Sequence, residues 1–278
     1  MIASLAHMQP VQDLPPEVSQ RIETVFTDID DTLSTDGRIG AAAYDALWRA
    51  RDAGLRMVVV TGRPAGWCDM IARMWPVDAV IGENGALAFA LIDGGTSSGL
   101  RMQRLDAEFP DDATERLSAI EAQVLAEVPG CKTAADQAFR RHDLAIDFAE
   151  EVPRLDENAI AKIVAAFEAH GATAKVSSIH VNGWFGDFDK LSMCRRAHQE
   201  FFASPLDPDR AIYVGDSPND EAPFAFFPHA VGVANIADYC HRMQSLPRYV
   251  TQKPAGEGFA ELIDILLRPC PDSQGDQI

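Results

Sequence analysis

Between residues 23 and 85, short apolar runs alternate with amphipathic stretches, and each apolar run ends in polar residues. Few folds are open to a chain with that rhythm. Glu23-Thr24-Val25-Phe26-Thr27 leads into the acidic group Asp28-Ile29-Asp30-Asp31. A helix is expected from about Gly40 to Ala53, with Ala43, Leu47 and Ala50 on one face and Gly54 as its stop. Leu55-Arg56-Met57-Val58-Val59-Val60 reads as a strand buried on both faces and ends at Thr61-Gly62-Arg63-Pro64. A second helix to Met74 and the run Ala79-Val80-Ile81 follow, leading into Gly82-Glu83-Asn84-Gly85. This β-α-β-α-β order implies right-handed crossovers and a parallel sheet.

The late part resumes the pattern, with a helix over Leu191–Phe202, a strand over Ala211–Val214 ending in Gly215-Asp216, the run Ala230–Val233, and a final helix near Gly258–Leu267. The middle reads differently. Glu108–Glu127 and Asp156–His170 are expected to be helical, while Leu144–Phe148 and Lys175–Trp184 look strand-like. The expected organisation is an N-terminal arm over 1–18, a discontinuous α/β core over 19–107 and 187–270, an inserted α+β unit over 108–186, and a tail over 271–278. The arm, rich in Pro and Gln, and the polar tail are expected to be loose. The insertion is positioned to cover the mouth of the sheet.

Charge narrows the function. With 42 acidic and 24 basic residues the net charge is −18, which argues against nucleic-acid binding and against anionic membrane surfaces. No apolar stretch is long enough for a membrane span, and the N-terminus lacks the basic start of a secretory signal. The cysteines are five, spread out and without a C-x-x-C pair, so a reducing cytoplasm is the expected compartment. A chain this acidic that handles an anion must build a local positive site.

In open parallel sheets, ligands bind beyond the carboxyl ends of the strands. Several such ends carry polar residues here: Asp28 and Asp30, then Thr61, then Asp216 and Asp220, with Lys190 opening a helix after the insertion. Carboxylates gathered at one sheet edge need a cation to remain ionised together, and hard oxygen ligands suit Mg²⁺.

These residues carry a resemblance. Asp28-Ile29-Asp30-Asp31-Thr32-Leu33 resembles the first motif of the haloacid dehalogenase superfamily, Thr61 the second, Lys190 the third, and Gly215-Asp216-Ser217-Pro218-Asn219-Asp220 the fourth. A lone D-x-D pair says little, whereas the ordered set at strand ends is specific. The insertion between the second and third motifs, with Glu83-Asn84-Gly85-Ala86-Leu87, is similar to the type IIB (Cof-like) capped branch. Ser178–Asn182 and Gly186–Lys190 look most like the sugar-phosphate phosphatases of that branch, such as those acting on sucrose-phosphate, trehalose-phosphate and mannosyl-phosphoglycerate. The resemblance implies a Rossmann-like core with a cap and a Mg²⁺-dependent phosphatase acting on a small phosphorylated metabolite, a sugar phosphate foremost. It also implies roles: Asp28 as nucleophile, Asp30 as acid and base, Thr61 and Lys190 on the phosphoryl oxygens, and Asp28, Asp30 and Asp216 as metal ligands. Asn219 and Asp220 would orient the metal's surroundings. Asp31 stands where the family often has Gly, and Leu191 follows the lysine where Gly is common.

Further candidates for substrate binding are Gly62, Arg63 and Asn84 near strand ends, and Arg140, Arg141, His180 and Asn182 in the insertion. Arg140 and Arg141 with His142 make a basic cluster suited to a sugar or second anion, and equally a solvated loop. A phosphomutase of the same superfamily is the enzymatic alternative; a phospho-aspartate receiver is a remote one. Oligomeric state is not legible.

Overall fold

The computed structural model describes residues 8–93 and 99–269. In chain order its main elements are β1 (Thr24–Thr27), α1 (Ala41–Asp52), β2 (Arg56–Val60), α2 (Ala65–Met74), β3 (Ala79–Gly82), β4 (Leu87–Asp93) and β5 (Leu100–Asp106). Next come α3 (Ala113–Glu127), β6 (Asp143–Asp147), α4 (Glu157–Ala169), β7 (Thr173–Val176) and β8 (His180–Trp184). The last are α5 (Lys190–Phe202), β9 (Ala211–Gly215), β10 (Val231–Gly232), β11 (Tyr249–Val250) and α6 (Ala255–Leu266). The protein is therefore α/β, as the alternation requires. Among the described residues no helix is long and apolar enough to cross a membrane.

The chain divides into two compact units. The first takes the residues up to Val58, Asp207–Asp216 and those from Pro223 on. The strands of its main sheet are parallel: Ala211 pairs with Thr24, Val214 with both Thr27 and Val231, and Val231 with Tyr249. Every residue of β1 and β9 is buried, so their apolar runs are continuous rather than alternating. Phe26, Tyr213 and Phe227 stack in this core, with ring centroids 5.5–5.9 Å apart. Each such buried side chain contributes about 1.5–3 kcal/mol. Gly54 stops α1 as expected, in the left-handed region at φ +87° with its N–H donating to Arg51 O.

The expected loose arm is packed from residue 8 on. Gln9 and Pro10 pair in parallel with Tyr249 and Val250, and Val11 and Leu14 are buried. Together with that strand pairing, the buried Met8, Val11 and Leu14 side chains dock it. Residues 1–7 and the expected tail, 271–278, lie outside the described residues.

The second unit takes Val59–Leu206 and Ser217–Ala222. Here the sheet gains antiparallel strands that the sequence reading did not place: β3, β4 and β5 form an antiparallel meander, with Ile81 opposite Ala88 and Ala88 opposite Leu105. The three-residue turn Glu83–Gly85 between β3 and β4 is too short for a crossover. A second antiparallel sheet runs in the order β7-β8-β6 and ends on the two-residue strand Lys132–Thr133. The α3 and α4 helices bury Leu117, Ile120, Val124, Ile160, Ile163 and Phe167 with Ile146 and Val181 of this sheet. At Gly183 a Cβ would lie 2.1 Å from the Phe167 ring, so this strand position admits no side chain.

Two expected boundaries move. The α3 helix begins at Ala113, not Glu108, because Pro110 breaks the approach. Lys175–Trp184 is a hairpin, β7 and β8, rather than one strand: the Ser177 hydroxyl accepts the His180 N–H at 2.9 Å and reverses the chain.

Candidate active site

In the first unit, Asp28 follows β1 directly, and its N–H donates to Val214 O of β9 at 3.0 Å. Asp216 follows β9, so parallel pairing brings both acids to the carboxyl ends of neighbouring strands. Both are buried, and an oxygen of each lies within 4.8 Å of one on the other. Asp216 is gripped from two sides, by the Thr32 hydroxyl at Oδ1 (3.4 Å) and by the Asn235 amide at Oδ2 (3.2 Å). Two buried carboxylates this close form a hard-oxygen pair that fits Mg²⁺. Asp30 is half-buried on the turn after β1. Asp31 stands at φ +55°, which explains why glycine suits that position; its N–H donates to Ser34 Oγ, and its carbonyl accepts from Asn235.

In the second unit, Thr61 is fully buried after β2. Its N–H donates to Ile81 O, its carbonyl accepts the Asn84 N–H, and its Oγ1 accepts the Arg63 N–H at 3.0 Å. That geometry leaves the hydroxyl hydrogen to donate. Lys190 opens α5 behind a capping box, in which Asp189 accepts the Ser192 N–H at 2.7 Å. Its ammonium is buried and lies 2.7 Å from Asp220 Oδ1. Asp220 and Asn219 sit on the turn Pro218–Asp220, where Ser217 donates to Asn219 Oδ1 and Asn219 donates to Asn84 Oδ1.

Six of the seven substrate-binding candidates gather in one buried polar network. Arg140 donates to Gly62 O at 2.7 Å and to Asp143, and Asp143 accepts from Asn182 at 2.8 Å. Arg63 donates to Asp136 and Glu150, stacks over the Trp67 ring, and follows Thr61 by two residues. His180 Nε2 lies 2.9 Å from Glu150 Oε2. Asn84 joins through the turn Glu83–Gly85, where the Asn84 amide would press on any Cβ at Gly62. Burial works against the Arg140 charge, but Asp143 and Asp136 hold its pKa above the ordinary value. Burial likewise works to raise Glu150, yet hydrogen bonds from His180 and Arg63 prevail and bring it down to about 2. The seventh candidate, Arg141, is not in the network. Its side chain is exposed and lines a pocket of about 190 Å³ that Arg140 and Asp143 also border, and its backbone N–H donates to Glu83.

Glu83 is a residue whose role sequence reasoning missed. Its carboxylate accepts backbone N–H groups from Ala65, Arg141, His142 and Asp143, at 2.7–3.3 Å. Burial, with the Asp143 charge added, pushes its pKa up to about 8, against the pull of those donors. Asp136, Asp143, Glu150 and Asn235 were missed as well, while Thr32 was seen only as part of the Asp28–Leu33 motif. The only advance signal was the Asp136/Arg140 and Arg140/Asp143 spacing, which suits local ion pairs.

Known proteins resemble this chain in sequence and in fold. Residues 25–123 match the family model of haloacid dehalogenase-like hydrolases. A phosphoglycolate phosphatase from Pyrobaculum neutrophilum is 28% identical over 250 residues, which is 88% of this chain and 96% of that protein. The solved structure of a Thermoplasma acidophilum protein shares the fold at a TM-score of 0.67 and 17% identity, covering 88% of this chain and 98% of that one. So does the sucrose-phosphatase of Synechocystis sp. PCC6803, solved with sucrose and phosphate: TM-score 0.60, 16% identity, 89% of this chain and 98% of that one. The fold is α/β, with buried carboxylates at the ends of parallel strands. Over residues 25–123 the chain is similar to the haloacid dehalogenase-like hydrolases, and its phosphatase-named relative supports a phosphatase.

Proposed function

We propose that the protein is a Mg²⁺-dependent phosphomonoesterase that hydrolyses a small phosphorylated metabolite, sugar phosphates being the first class to assay, in the cytoplasm. One observation carries the reading above others: Asp28 and Asp216 are buried, follow adjacent parallel strands, and have oxygens within 4.8 Å of each other. That is a nucleophile and a metal ligand at the edge where open α/β sheets take their ligands.

A Mg²⁺ ion held by the Asp28 and Asp216 carboxylates and the Asp30 carbonyl would supply charge neutralisation between the nucleophile and an anionic substrate. An Asp28 oxygen attacks phosphorus; the bond from phosphorus to the ester oxygen breaks, and Asp30 gives that oxygen its proton. In the second half Asp30 takes a proton from water, whose oxygen attacks the aspartyl-phosphate and frees Asp28 and inorganic phosphate. The Thr61 hydroxyl and the Lys190 ammonium donate to phosphoryl oxygens. Asp220 orients Lys190, and Asn219 acts from the same turn. Residues 108–186 serve as the cap that selects substrate, through Gly62, Arg63 and Asn84 on one side and Arg140, His180 and Asn182 on the other.

The test is inorganic phosphate release from a panel of phosphomonoesters with and without Mg²⁺. Release that requires Mg²⁺ and no bisphosphate activator supports this reading over a mutase. Absence of release from every ester would overturn it.

A further inference from the structure

The α2 helix, Ala65–Met74, is apolar on both of its sides. Ala65, Cys68, Ile71 and Ala72 are buried on the inner side. On the outer side Trp67, Met70 and Met74 recur at helical spacing and are exposed, Met74 at 69%. Phe139, 58% exposed, extends this stripe: it sits on the turn Gln137–Phe139, and a Cβ on Gly66 would lie 3.1 Å from the Phe139 Cβ. Four of the seven exposed large apolar side chains among the described residues thus share one surface of the second unit. Apolar side chains scattered singly over a surface are ordinary, whereas a contiguous group marks an association site. A helix that is apolar all round is normally buried all round. This one carries only two charged residues, Asp69 and Arg73, and they are joined at 2.9 Å.

We propose that this surface is an interface with a second copy of the chain, formed by α2 packing antiparallel on its counterpart about a two-fold axis near Met70. Charge and register select that occupant. In a two-fold pair the same patch serves on both copies, so a residue before the axis meets one equally far beyond it. Trp67 then lies against Met74 of the second copy, the two Met70 side chains meet at the axis, and Asp69 comes opposite Arg73. One register therefore matches the apolar pair and the ionic pair together. A chain of net charge −18 repels its own copies, and self-association favours a face whose charges cancel, as those of Asp69 and Arg73 do. Trp67 and Phe139 supply the aromatic rings, and Met70 and Met74 the methionines, in which interface cores are enriched.

The test is sedimentation equilibrium of the full-length protein over a concentration series, a readout independent of phosphatase activity. The wild type is expected to pass from the mass of one chain to twice that mass. Met70→Glu sets two carboxylates at the axis and is expected to raise the dimer dissociation constant by about 100-fold or more, because each change counts twice in a symmetric pair. Asp69→Arg is expected to weaken the dimer, and Asp69→Arg combined with Arg73→Asp to restore it. The Asp69, Met70 and Arg73 side chains all reach solvent, so these variants should keep the wild-type far-UV circular dichroism. A wild type that stays monomeric up to about 100 µM would overturn the inference, as would a dimer that Met70→Glu leaves intact. Failure of the double exchange to restore what Asp69→Arg removes would refute the antiparallel register. A monomer that binds phosphatidylcholine–phosphatidylglycerol vesicles, and loses that binding in Met70→Glu, would give the surface to a membrane instead and sink the proposal.

Discussion

The side-chain amide of Asn235 donates to Asp216 Oδ2 at 3.2 Å, and the same nitrogen reaches the Asp31 carbonyl at 2.9 Å. Its oxygen accepts the Ala255 N–H that opens α6. One residue thus fixes the orientation of a proposed metal ligand, the turn that carries Asp30, and a helix start.

Asn235→Ala is expected to raise the Mg²⁺ concentration needed for half-maximal phosphate release by about 10- to 100-fold, the usual effect of losing a group that orients a metal ligand. It also strips the Ala255 N–H of its acceptor, at about 1–3 kcal/mol of stability. A Mg²⁺ titration and a thermal melt read the two effects separately. An unchanged titration would show that Thr32 alone suffices to hold Asp216.

Asp28→Asn keeps the shape of the side chain and removes the attacking charge. Phosphate release should drop by about 10⁶-fold, the scale seen when a nucleophile is lost. Far-UV circular dichroism should be unchanged, since the strand hydrogen bond uses the Asp28 backbone. Near-normal turnover in this variant is incompatible with Asp28 as nucleophile.

Asp31 occupies φ +55°. Asp31→Gly should leave Tm nearly unchanged, because relief at the left-handed position offsets added freedom in the unfolded chain. Asp31→Val places a β-branched residue there and should cost about 1–2 kcal/mol. Comparing the two by thermal denaturation separates backbone conformation from the loss of the carboxylate.

The buried Glu83 makes stability depend on pH. Its folded pKa is raised from 4.5 to about 8, so across that window the folded state holds a proton that the unfolded state has lost. Folding is therefore weakened as pH rises through the window. The stability of the wild-type protein relative to Glu83→Gln should fall between about pH 5 and pH 8, measured by urea denaturation in a pH series. A difference that stays flat would mean that the four N–H donors hold the carboxylate ionised throughout.

The alternation of apolar runs and amphipathic stretches was sufficient to place β1, α1, β2 and α2, and with them Asp28 and Thr61, because strand and helix periodicity is local. Lys190 and Asp216 follow from the same rule, at a helix start and a strand end. The antiparallel meander after β3 escaped it: an apolar run looks the same whichever way it pairs, and only the left-handed turn at Glu83–Gly85 decides the direction. Likewise Arg140 and Arg141 are adjacent in sequence, yet one is buried between Asp136 and Asp143 and the other lies in solvent.

By itself, then, the amino-acid order determined the α/β class and which acids, threonine and lysine stand at strand and helix ends, since those depend on neighbours a few residues away. Tertiary structure decided the partners: Asn235 for Asp31 across 204 positions of sequence, Glu150 for Arg63 across 87, and the Glu83 carboxylate for the backbone of residues 141–143. No periodicity encodes such pairs. They exist because polar groups buried by packing must find one another, and only the packed chain determines which ones meet.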